Sequence, residues 1–221
     1  MHAFPRTLVP GWTHRLIPSR FPPIQVFETV ASADDLLAVM ELEGWTNDRL
    51  VQQRLSRLPR SEWMFGTPNA SIVMASFLHA APTGLRFTSG DLGAWYAAFA
   101  VNTAIAEVSH HLRREMLNAG LDEMHAQCRS YEARLAGDYV DVRDAMKSPP
   151  EIYDPASYAR SQAFGEQVRA SAESGIVYDS LRHAGGVNVV CYRPRDVGDV
   201  RQTIHWELLL RPTGKIIVRK L

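Results

Sequence analysis

Two cysteines in 221 residues, Cys128 and Cys191, are too few for a disulfide framework or a zinc quartet. Neither sign of charge is in excess, because 24 Lys and Arg balance 24 Asp and Glu. That balance speaks against a broad basic surface for nucleic acid or anionic lipid, while leaving room for a local basic pocket. No apolar run approaches the roughly 18 residues of a membrane span, and Met1–Trp12 does not read as a signal peptide. The expectation is a soluble, cytosolic protein.

Internal repeats, low-complexity tracts and long linkers are missing too. So are the common phosphate and nucleophile fingerprints. Gly84, Gly90 and Gly93 do not form a G-x-G-x-x-G turn, and there is no P-loop. Ser180 lies in Tyr178-Asp179-Ser180-Leu181-Arg182, which is not a G-x-S-x-G elbow. Cys128 has no nucleophile signature around it and reads as a structural thiol.

What is present suits one globular domain. At 24.8 kDa, with 46% hydrophobic and 22% charged residues, the chain can bury a sizeable core, which excludes disorder and fibrous structure. A proline-punctuated opening carries a short strand, Thr13–Ile17, with Arg15 between His14 and Leu16. Ser32 and Asp35 form a capping-box pattern before Leu36, Leu37 and Met40, and a second helical run spans Asn47–Leu58. Together they suggest a small helical insertion, residues 28–70, within a single domain covering 1–221.

Ser71–His79 is apolar throughout and is expected to be a strand. Trp95–Phe99 is another, with Tyr96, Ala94 and Ala98 on one face and Trp95, Ala97 and Phe99 on the other. A helix over Thr103–Asn118 follows from Ala104, Ile105, Val108, Leu112 and Met116 at 3.6-residue spacing, stopped by Gly120. Glu107 falls at the edge of that stripe, one turn before His111. His111 and Glu115 have the spacing of half a metal site, but an ordinary polar helix flank is the plainer reading. Glu123–Val142 reads as one or two strands. Asp154-Pro155 opens a helix to about Glu173, strands follow at Gly175–Tyr178 and Val187–Tyr192, and a hairpin ends the chain. The fold class is α+β, without the βαβ alternation of a dinucleotide fold.

Taken singly, Arg15, Arg86, Tyr96, Glu107, Ser180 and Arg182 each have an unremarkable explanation, and their spacing alone defines no active site. Their surroundings, in order, resemble the RES-domain family, typified by toxins paired with Xre-like antitoxins. The resemblance rests on His14-Arg15-Leu16, Met74–His79, Arg86-Phe87-Thr88-Ser89-Gly90, and Tyr96-Ala97-Ala98 with Thr103-Ala104-Ile105-Ala106-Glu107. Farther on it rests on Tyr153-Asp154-Pro155, Tyr158, Ser161-Gln162 and Gly175–Arg182 with Gly185-Gly186. The chain departs from the family pattern at Gly84-Leu85, where short members show Gly-Gly. It departs again at Asp179, a common proline position, and at Asn188, where longer members often carry cysteine.

The resemblance implies a fold similar to ADP-ribosyltransferases and an enzyme acting on NAD as its substrate, with inorganic phosphate a possible co-substrate and no metal. Cleavage of the nicotinamide–ribose bond releases a neutral base and leaves positive charge on the ribose, which a carboxylate stabilises. By the resemblance Glu107 is that carboxylate. Arg15 and Arg86 then hold the diphosphate or an incoming phosphate, and Tyr96 stacks on the nicotinamide or its ribose. Ser180, with Arg182 nearby, bonds the ribose or holds Glu107. The acceptor is phosphate or water, or else a host protein side chain. A third possibility, from a different class, is a catalytically silent NAD-binding interaction module. The implied partner is an Xre-like antitoxin that handles the DNA, with homo-oligomers or mixed assemblies possible and no membrane contact.

Overall fold

A computed structural model describes residues 4–21, 27–38, 50–143 and 150–221. Among the described residues, nine strands form one sheet in the order β1-β5-β6-β7-β3-β2-β4-β8-β9. They are β1 (Arg6–Thr7), β2 (Trp12–Pro18), β3 (Trp95–Ala98), β4 (Met124–Leu135) and β5 (Tyr139–Asp141), then β6 (Gly175–Asp179), β7 (Val187–Cys191), β8 (Val197–Leu210) and β9 (Ile217–Lys220). Among the described strands only β5 and β6 pair in parallel, and α5 (Ala159–Arg169) lies in the connection between them. The expected α+β class is what the structure shows.

The sheet has a weak seam. β2 runs beside β4 over seven residue pairs, from Trp12–Arg134 to Pro18–Cys128, but meets β3 in register only at His14 and Ala98. At this seam Arg15 Nη1 donates to the Tyr96 carbonyl at 2.8 Å and ties the two halves together. Two apolar clusters flank the seam. The larger contains Trp95, Ala97, Tyr139, Ile176 and Val189, and the smaller contains Leu16, Ala98, Leu112, Met116 and Leu208. Trp95, Ala97 and Phe99 thus share the larger cluster as expected and Ala98 turns to the smaller one, but Ala94 and Tyr96 pack with the larger cluster rather than with Ala98.

Helix α4 (Val101–Asn118) covers the smaller cluster. Ala104, Ile105, Leu112 and Met116 are buried and Val108 is half-buried against them, as the 3.6-residue stripe predicts. It ends at Gly120, whose φ of +66° lets Leu121 N reach back to the Met116 carbonyl at 3.0 Å.

Two expectations are corrected. Ser71–His79 is not a strand, because Ala70–Leu78 forms helix α3. Seven of its nine residues are buried, so it lacks the polar face that would have revealed a helical period. The Glu28 carboxylate accepts Ser71 N at 2.9 Å, and also the Ser71 hydroxyl, at the positive end of this helix. The helix expected from Asp154-Pro155 to about Glu173 is shorter at both ends, Ala159–Arg169. Asp154 Oδ1 instead accepts Ala156 N at 2.8 Å, a local turn that competes with helix initiation.

Residues 33–38 form helix α1, preceded by the expected Ser32 and Asp35 cap, with Asp35 N donating to Ser32 Oγ at 3.1 Å. Helix α2 is described over Leu50–Leu55. The continuation of the first run to Met40, and the start of the second at Asn47, lie outside the described residues. Val30, Leu36, Leu55, Leu58 and Trp63 from the 28–70 segment share the larger core with the sheet.

Helix α5 anchors the turn that carries Arg86. Gln162 Nε2 donates to the Thr83 and Leu85 carbonyls, Glu166 Oε1 accepts Ser89 N at 2.8 Å, and Arg169 binds the Leu92 and Gly93 carbonyls. Gly165 permits the close approach, since a Cβ there would come within 2.1 Å of the Phe87 carbonyl oxygen. Gly165→Ala is expected to lower stability by about 2 kcal/mol by forcing α5 off this turn, read as a lower urea midpoint with unchanged m.

Candidate active site

A cavity of about 210 Å³ opens at the seam of the sheet. β2 contributes Arg15, β3 Tyr96, α4 Glu107 with His110 and His111, and β7 Asn188. The Arg86 turn, Tyr158, Tyr178 and Arg182 complete the wall. Thus Arg15, Arg86, Tyr96, Glu107 and Arg182, scattered along most of the chain, meet around one space.

Glu107 is the carboxylate that α4 presents to this space. Its Oε1 accepts two hydrogen bonds, from Ser180 Oγ and Asn188 Nδ2, each at 2.7 Å. Oε2 takes no hydrogen bond among the described residues. Ser180 does not line the cavity, although it was expected either to bond a ribose or to hold Glu107. It stands behind Glu107 and does the second. Its oxygen also accepts Arg182 N and His183 N, at 3.1 and 3.0 Å. Both lone pairs are then engaged and the one hydroxyl hydrogen points at the carboxylate, so the serine is no free nucleophile.

Both arginines are gripped by backbone carbonyls. Arg86 Nη1 donates to the Ile152 and Asp154 carbonyls, at 3.0 and 3.2 Å, with its guanidinium over the Tyr158 ring. Arg15 bonds the Tyr96 carbonyl and packs over Trp95, while its buried Nε has no partner among the described residues. Neither forms a salt bridge among the described residues. Burial pulls the Arg15 guanidinium down to about 10, so it stays cationic at neutral pH. Cations positioned by neutral dipoles keep their charge for an anionic ligand.

Tyr96 lines the cavity, but its hydroxyl is occupied by Thr88 Oγ1 at 3.0 Å and Phe87 N at 3.3 Å. Burial pushes that hydroxyl up to about 12, so Tyr96 keeps its proton at neutral pH. Glu115 pairs with Arg20 at 2.6 Å on the exposed side of α4. The Cys128 thiol is fully buried and pushed up to about 11, which suits a structural group.

Burial, then the charges of Arg182, His111, Arg114 and Arg113, pull His110 down to about 4. His111 is lowered by burial, against an opposing pull from Glu107. As pH falls from 6.5 towards 4, an unfolded chain takes up the His110 proton before the folded one does. Stability present above the unfolded value is therefore lost across that interval. The melting temperature is expected to drop less between pH 7 and about pH 4.5 in His110→Gln than in the unaltered protein. Equal drops would remove His110 from the acid sensitivity.

Sequence reasoning missed Asn188 as a site residue, and gave Tyr158 and Tyr178 no role. Asn188 did leave one signal: it is the single polar residue of Val187-Asn188-Val189-Val190-Cys191. Tyr178, buried at the end of β6, resembles core.

The fold and the site together define an α+β protein with a clamped carboxylate and three arginines lining one cavity at a seam in its sheet. The RES domain model matches residues 54–211, well over half of the chain, and the protein belongs to that family. Arg15 lies outside the matched span, yet β2 carries it into the same cavity. The uncharacterized protein y4oC of Sinorhizobium fredii (strain NBRC 101917 / NGR234) is 29% identical over 214 residues, which cover 90% of this chain and 83% of that protein. No helix among the described residues is long and apolar enough to cross a membrane.

Proposed function

We propose that this protein cleaves the nicotinamide–ribose bond of NAD, with phosphate or water as acceptor. The observation that carries the reading is the Glu107 carboxylate, held by two neutral donors in a cavity that also holds Arg15 and Arg86. Membership of the RES family supports an NAD-related, toxin-like role.

In the proposed reaction the bond between ribose C1 and the pyridinium nitrogen breaks. Its electron pair goes to nitrogen, so nicotinamide departs neutral and needs no general acid. Positive charge builds on the sugar, where the Glu107 carboxylate stabilises it. The acceptor oxygen then bonds C1 and releases its proton to solvent. Arg15 and Arg86 neutralise the diphosphate, and Tyr96 or Tyr158 supplies a ring face for the base. Such an activity would harm its own cell unless restrained. We accordingly propose a cytoplasmic location and an Xre-like antitoxin as partner, which would leave this chain no need to touch DNA.

The test follows nicotinamide and ADP-ribose products by NMR, with NAD and purified protein, with and without phosphate. Phosphate-dependent release supports a phosphorylase, and release indifferent to phosphate a glycohydrolase. NAD binding without release contradicts the proposal and favours transfer to a protein acceptor or a silent binding module.

A further inference from the structure

We propose that Asn188 is a positioning residue for Glu107, holding its carboxylate so that it addresses a ligand through Oε2 alone. The inference rests on Glu107 being the group that meets the reacting sugar.

Asn188 lies in β7, in register with Ala98 of β3 and Tyr178 of β6, and is 3% exposed. Its strand is otherwise apolar, and a buried amide without partners is costly there. A carboxylate can only accept, so the amide must turn its Nδ2 toward Glu107, and it does so at 2.7 Å. Ser180 supplies the second donor from the turn after β6. Its own oxygen is fixed by the Arg182 and His183 amides, so the hydroxyl hydrogen has a preset direction.

Two donors on Oε1 use both of its lone pairs. The rotamer of Glu107 is then set from two separate elements, β7 and the Ser180 turn. Oε2 remains for a ligand on the cavity side, which excludes a bidentate grip on a sugar diol. It permits a single close approach to one hydroxyl or to the electron-poor ring carbon. Asn188 therefore acts on how often Glu107 is correctly placed.

A purely structural amide and a positioning amide make different predictions. In Asn188→Ala, kcat for nicotinamide release is expected to fall about 10- to 100-fold with KM within about twofold. Asn188→Asp keeps the shape but replaces the donor with a second carboxylate against Glu107, and should lower kcat at least as far, again with KM little changed. Ser180→Ala should resemble Asn188→Ala, and the double variant should lose less than the two effects combined. Melting curves establish that each variant is folded, with the near-isosteric Asn188→Asp carrying the test if Asn188→Ala is not. Folded Asn188 variants with unaltered kcat would overturn the inference alone. Absence of release from the unaltered protein would overturn the proposed reaction and the role of Asn188 with it.

Discussion

Replacing Glu107 with Gln is expected to slow nicotinamide release by about 100- to 1000-fold, while NAD binds within about threefold of the unaltered affinity. The substitution is close to isosteric, and a side-chain carbonyl can still accept from Ser180 Oγ and Asn188 Nδ2. The clamp and the fold therefore survive, and only the negative charge is lost. That charge matters most when the ribose becomes electron-poor, so the effect falls on kcat rather than on KM. Stopped assays with nicotinamide quantified by chromatography, beside calorimetric NAD titrations, separate the two quantities. Rates within about threefold of the unaltered protein would remove Glu107 from the reaction.

The second large effect belongs to Arg86, whose guanidinium serves the fold and the ligand at once. Arg86→Ala leaves the Ile152 and Asp154 carbonyls without their donor, and is expected to cost about 2 kcal/mol of stability. NAD affinity should fall about 100-fold, because a cation held by dipoles has been removed from the cavity. Arg86→Lys separates the roles. An ammonium can reach one carbonyl and recover about half of the stability, but it cannot present a fork to phosphate oxygens. Its NAD affinity should remain about 10-fold weaker. Denaturant midpoints and calorimetric titrations of both variants check these expectations. Affinity recovered in full by Lys would mean that the site needs only a point charge.

The parts of this molecule that sequence could reveal are those with a solvent-facing side. Helix α4 alternates buried and exposed positions, so its stripe is legible in the sequence, with Glu107 at the edge of that stripe. Helix α3 has almost no polar face, and its apolar run is indistinguishable from a buried strand. The start of α5 was misplaced because Asp154 has two options, capping a helix or closing a local turn. Tertiary structure favours the turn, where Arg86 holds the Asp154 carbonyl.

The candidate site was legible by family resemblance, in Arg15, Arg86, Tyr96, Glu107 and Arg182, and its internal arrangement was not. Whether Ser180 faces a ligand or Glu107 depends on the turn that brings the Arg182 and His183 amides onto its oxygen. Asn188 meets Glu107 across 81 positions of chain, through a register between β3, β7 and β6 that no local pattern encodes. The grip of carbonyls on Arg15 and Arg86 is likewise a product of packing, since it replaces the ion pairs that surface arginines usually make.

The central claim is that the seam between β2 and β3 is where NAD is held and broken. A crystal structure of Glu107→Gln soaked with NAD tests it most directly. The account predicts intact NAD with its diphosphate between Arg15 and Arg86 and its nicotinamide ribose beside residue 107. NAD bound elsewhere, or bound with both guanidinium groups unengaged, would contradict it.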